Sequence, residues 1–122
     1  LKSFEEPKEV YNKILLILDK HIDKYDKNDK FYPAGYNVNF DLNFFSRFFI
    51  KNGSKYGLGT YCNWKRLDPL PFIYIKDFNN EINLENYKLQ TVCNYYKIIL
   101  EQAHDSLSDI KATRELIKKT IL

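Results

Sequence analysis

The stretch YGLGTYCNWKR, Tyr56 to Arg66, gathers two glycines, a cysteine, the chain's single tryptophan and two cations into eleven positions. Those residue types could form a phosphate cradle, a thiol nucleophile, a nucleic-acid stacking platform or a protein-recognition surface. The phosphate reading fails first. Gly57 and Gly59 belong neither to a GxGxxG turn nor to a loop ending in GK[ST], so the backbone amides that would hold a phosphate have no matching frame. If the segment is a strand, both glycines share one bare face that another backbone or ring can approach closely.

A thiol nucleophile at Cys62 needs a histidine base, and only His21 and His104 exist. His21 falls on or near the apolar stripe of the first expected helix, which suits a packed core histidine. His104 lies where one expected helix ends and the next begins, a place where a positive side chain complements the helix dipole. Cys62 and Cys93 have no CxxC or Cys/His ligand spacing, so neither a zinc site nor a disulfide framework is indicated, and both are expected to act as small hydrophobes. No catalytic residue, cofactor or metal is expected. Asp19, Asp23 and Asp26 alternate with Lys20, Lys24 and Lys27, the pattern of a solvated helix face with weak pairs.

Two recognition readings remain. Tyr61, Trp64, Lys65 and Arg66 supply the rings and cations of a single-strand stacking platform. On a regular strand, however, Tyr61 and Lys65 face away from Trp64, which divides that surface. The leading expectation is a protein-contact set of Tyr61, Asn63, Trp64, Lys65, Arg66 and Asp68, because tryptophan, tyrosine and arginine are favoured interface anchors. Its competitor is a core Trp64.

The elements that position these residues follow from periodicity. Ser3 with Glu6 is a capping-box pair, and Pro7 is tolerated in a first helical turn. Val10, Tyr11, Ile14, Leu15, Ile17, Leu18, His21, Ile22 and Tyr25 then recur at helical spacing, predicting an amphipathic helix to about Tyr25. From Gly35 the period becomes two. Tyr36, Val38, Phe40 and Leu42 alternate with Asn37, Asn39, Asp41 and Asn43, predicting a half-buried strand. NFFSRFFIKNG, residues 43–53, reads as a short helix closed by Gly53, with a hairpin at Asn52-Gly53 as the alternative.

Tyr56–Lys65 and Phe72–Phe78 are predicted as paired antiparallel strands joined by the proline-interrupted RLDPLP. Two C-terminal helices follow, one capped by Asn83 and running through Leu100, the other started by Ser106 with Asp109. The fold expected is a single α+β domain over residues 1–122, in which a small antiparallel sheet of three to four strands packs with an N-terminal helix and two C-terminal helices.

Composition bounds the function. Ten tyrosines, nine phenylalanines and no methionine predict a core built from rigid rings. Sixteen lysines against three arginines, with abundant asparagine and isoleucine, suggest an AT-rich coding bias. Charge is balanced at seven basic to seven acidic in residues 1–35 and at six to six in residues 79–122, whereas residues 36–78 hold six basic and three acidic side chains. That surplus falls short of a dedicated nucleic-acid stripe. LKSFEEPKEV is too acidic for a secretory leader, and no run approaches the ~18 apolar residues of a membrane span. A soluble cytoplasmic protein with no membrane partner is expected.

The functional expectation is a non-enzymatic binding or inhibitor domain, in the class of bacterial immunity proteins that act as antitoxins by occluding a cognate toxin's active site. This is a class-level analogy. The alternative is a nucleic-acid-binding module using the central aromatic and basic residues, and third comes a small enzyme with a dispersed site.

Overall fold

The computed structural model describes residues 5–122, so the Ser3 half of the expected capping box lies outside the described residues. The described residues form five α-helices: α1 Pro7–Asp19, α2 Val38–Lys51, α3 Pro69–Phe78, α4 Leu89–Tyr95 and α5 Ser106–Thr120. A 3-10 turn covers Gly57–Thr60. Among the described residues the β-structure consists of two isolated parallel bridges, Phe31 with Cys62 and Ala34 with Leu67. The expected α+β architecture with a three- to four-stranded sheet is therefore wrong.

The overturned strands have local physical causes. Val38 and Leu42 satisfy helical spacing with Phe49 as well as the period-two pattern with Tyr36 and Phe40, and the helical arrangement is the one the chain uses. Val38 and Phe49 are buried within it, at 5% and 1% exposure. Asn37 enters α2 from a left-handed backbone conformation, φ 56°, which asparagine tolerates better than most residues. The short-helix reading of NFFSRFFIKNG agrees with the C-terminal half of α2, and Gly53 follows it at φ 106°.

RLDPLP marks a helix start where a strand connection was expected. Pro69 occupies the first turn of α3, where its missing N–H costs nothing. The Asp68 carboxylate receives the Leu70 N–H at 3.0 Å through Oδ1 and the Val38 N–H at 2.9 Å through Oδ2. One side chain thus satisfies an orphan donor at the start of two helices. With α3 helical, Leu70 and Ile73 turn inward together, while Ile75 and Phe78 remain exposed.

Helix α1 stops at Asp19, short of Tyr25. Beyond it, Asp23 and Asp26 accept the backbone N–H groups of Tyr25 and Asn28, and Asp29 accepts that of Asp23. Asp23 and Asp26, expected with Asp19 on a solvated helix face, instead bond the backbone of a turn-rich loop, while Asp19 ends α1. Helix α4 is likewise shorter than expected. It ends as Lys97 adopts φ 57° and the Ile98 N–H bonds the Cys93 carbonyl at 2.8 Å. Helix α5 lies where expected, with Asp105 as its cap, accepting the Ser108 N–H at 3.1 Å.

The chain divides into two compact units. The first contains the residues up to Pro33 and Asn39–Lys65. Its core is aromatic: Tyr11 meets Phe49 edge-on at 5.1 Å between ring centres, Phe49 meets Tyr61 at 6.4 Å, and Ile14, Leu15, Leu18 and Phe31 pack around them. The second contains Ala34–Val38 and Arg66–Leu122. Ile73, Ile82, Val92, Cys93, Ile98, Ala112 and Leu116 form its core, and the Tyr36 hydroxyl donates to the Tyr87 carbonyl at its edge.

The expected outcome of Asp68→Ala is a loss of about 2 kcal/mol, the upper end for a lost helix cap, because two N–H groups lose their acceptor. Urea denaturation followed by circular dichroism measures it. A loss below ~0.5 kcal/mol would show that the cap contributes little.

Candidate functional site

The segment from Tyr61 to Lys65 is an ordered, irregular turn anchored from the first unit's interior. The Phe31 N–H donates to the Tyr61 carbonyl and the Asn63 N–H to the Phe31 carbonyl, both at 2.8 Å. These bonds bracket Cys62 and fix the backbone on either side of it. Asn63 Oδ1 then accepts the Lys65 N–H at 2.8 Å, closing an Asx turn with Trp64 at its tip. Trp64 is 78% exposed, so the core reading of the indole does not describe it.

Tyr61 points the other way. It is buried, and its hydroxyl donates to Asp19 Oδ1 at 2.7 Å. Burial and the neighbouring Asp19 carboxylate push its ionisation far above the ordinary tyrosine range. Lys24 stands 4.0 Å from the same Asp19 oxygen, and Lys30 donates to the Thr60 carbonyl at 2.6 Å and the Lys24 carbonyl at 2.7 Å. The turn before Trp64 is thereby tied to the loop after α1.

Gly57 is required by this packing: it has φ 60°, and a side-chain carbon there would lie 2.2 Å from Ser46 Oγ of α2. At Gly59 the nearest atom is 3.9 Å away, so only one of the two glycines answers to a close approach.

Of the six contact residues read from the sequence, the structure exposes Trp64, Lys65 and Arg66. Asn63 is half-buried and holds the turn, Tyr61 is core, and Asp68 is engaged as a helix cap. Tyr61, Asn63, Trp64 and Lys65 belong to the first unit, Arg66 and Asp68 to the second.

The residues considered for catalysis are dispersed in role. His21 is exposed, its ring edge-on to Phe31 at 6.4 Å, where a core histidine was expected. His104 sits at φ 70° in the turn immediately before the α5 cap, at a helix start and not at a helix end. No disulfide joins Cys62 to Cys93. Cys93 is fully buried, and burial pushes its thiol up to about 11, which keeps it protonated and unreactive at neutral pH. Among the described residues no group of three or more His, Cys, Asp or Glu side chains is arranged to hold a metal ion. No described helix is long and apolar enough to cross a membrane.

Two surface features escaped the sequence reading. On α2, Phe40 and Phe44 are 74% and 66% exposed, although ring residues of an amphipathic helix ordinarily face the core. Their four-residue spacing is the available signal, hidden because Phe40 also fits the alternating pattern of a strand. In the second unit, Ile99 and Leu107 flank a shallow cleft of about 260 Å³ over Ala112, rimmed by Glu101, Lys111 and Arg114. No protein-family model, curated protein or solved structure matches the chain.

Two outcomes follow from the buried hydroxyl and thiol. Tyr61→Phe is expected to lower stability by about 1 kcal/mol, since it deletes one part-buried hydrogen bond and leaves the ring in place. Stability should also fall as pH rises from 9 towards 11. The folded Cys93 thiol holds its proton above the ordinary value of 9.0, so the unfolded chain releases it first and unfolding is favoured through that window. Melting curves of the native protein and Cys93→Val, recorded across the window, check this: the variant should decline less steeply.

Proposed function

We propose that the chain is a small, non-enzymatic protein-binding domain that docks stoichiometrically on a partner, in the manner of a cytoplasmic bacterial immunity protein occluding a toxin's active site. The observation that carries this reading is Trp64 at 78% exposure on a hydrogen-bonded turn. An indole left in water gives up its burial energy, and docking into a partner's pocket recovers it. Because the Asx turn and the Phe31 bonds already fix the backbone, little conformational entropy is lost on binding. Lys65 beside it favours an acidic rim around that pocket. The toxin-domain assignment extends this by class analogy from size and composition.

A second reading gains from the same geometry. The objection to a nucleic-acid platform was the division of Trp64 from Lys65 by strand alternation; the segment is an irregular turn, not a strand, and both side chains are exposed. Tyr61, being buried, cannot extend the platform.

Purification from the native host is expected to yield an equimolar complex with one protein. On reconstitution from the purified pair, Trp64→Ala should weaken the dissociation constant by at least tenfold, the scale of a hot-spot loss. The absence of a protein partner, together with strongly salt-dependent binding to single-stranded RNA or DNA, would replace the first reading with the second.

A further inference from the structure

We propose that the outward stripe of α2, Phe40–Phe44–Arg47–Lys51, is a second docking element that seats in an apolar groove of the partner protein, with the groove's far end lined by carboxylates. These residues stand at i, i+4, i+7 and i+11, the spacing by which a helix presents anchors to a groove. Phe49, on the opposite side of the helix and at 1% exposure, already anchors α2 to the first unit's core. Phe40 and Phe44 are therefore surplus to that core, yet they stand in water on a helix held rigidly from behind. Phe44 is also braced edge-on by Phe45, 6.1 Å between ring centres at 83°.

The order of chemistry along the stripe identifies the occupant. Its first half is aromatic and its second half cationic, and among the described residues neither Arg47 nor Lys51 takes part in an ion pair. The only acid on α2, Asp41, lies about 100° around the helix from Phe40, by the residue angle of an α-helix. A complementary surface must bury two rings at one end and offer anions at the other. A membrane-surface helix would carry its apolar band along the full length. A nucleic-acid surface would call for more cations than the two present. A protein groove meets both halves.

This inference rests on the protein-binding reading, and the test separates the two. Full-length protein carrying photoreactive benzoylphenylalanine at Phe44, and separately at Trp64, is irradiated in native-host cells. The adducts are then mapped by mass spectrometry. Adducts from both positions to one protein, with the Phe44 adduct in a groove bordered by Asp or Glu, are expected. With that protein purified, the pair Phe40→Ala/Phe44→Ala and the pair Arg47→Glu/Lys51→Glu should each weaken binding about tenfold or more.

The charge-reversal loss should be partly rescued by reversing the facing acids. Helical circular dichroism unchanged in both pairs excludes misfolding, as all four side chains are exposed. An adduct from Trp64 alone, binding insensitive to both pairs, or a Phe44 adduct to RNA, lipid or a second copy of the chain would overturn the inference while leaving the protein-binding reading standing. No protein adduct from either position would overturn both.

Discussion

The carboxylate of Asp68 receives the N–H groups of Leu70 and Val38, the first-turn donors of α3 and α2. A helix start leaves such donors without intrahelical partners, and an anion there also meets the positive end of the dipole. Pro69 follows with a fixed backbone angle suited to the first turn, and Asn37 supplies the left-handed residue before Val38. These three residues commit two segments of alternating or continuous apolar character to the helical state. Everything displayed by α2, including its outward rings, depends on that commitment.

The same dependence explains which parts of the fold were legible. The N-terminal helix was, since Tyr11, Ile14, Leu15 and Leu18 repeat over several turns; its end was not, because Asp23, Asp26 and Asp29 bond nearby backbone N–H groups in place of the solvated helix face that their alternation with lysine suggests. Helix α5 was legible too, its start differing only in that Asp105 and not Ser106 is the cap. In contrast, Tyr36–Leu42 and Phe72–Ile75 are too short for periodicity to decide, and each fits both templates. The decision came from Asp68, thirty residues from Val38 in sequence and visible only once the chain has folded. Aspartate before proline is itself a local helix-start signal in RLDPLP, one that competes with the breaker reading of proline.

The candidate site was legible in composition and not in geometry. Strand alternation would set Tyr61 and Lys65 opposite Trp64, and the 3-10 turn with the irregular backbone after it replaces that alternation. Trp64 is outward, Tyr61 inward, and Asn63 spends its side chain on the turn that separates them. The chain's aromatic wealth is thus divided by role. Tyr11, Phe49 and Tyr61 knit a core of edge-on rings, whereas Trp64, Phe40 and Phe44 are held in water by well-bonded backbone. A rigid frame presenting unburied rings beside cations is suited to recognition, because both the area to be buried and the order of the binding element exist before the partner arrives.

The account turns on the environment of one indole, and the chain has no other tryptophan to confuse the signal. Acrylamide quenching of the intrinsic fluorescence of the isolated native protein tests it directly. The expected result is emission at the water-exposed limit and a quenching constant close to that of the same protein unfolded in urea. Blue-shifted emission with strong protection from quencher, relieved only on unfolding, would make Trp64 a core residue and contradict the recognition surface built on it.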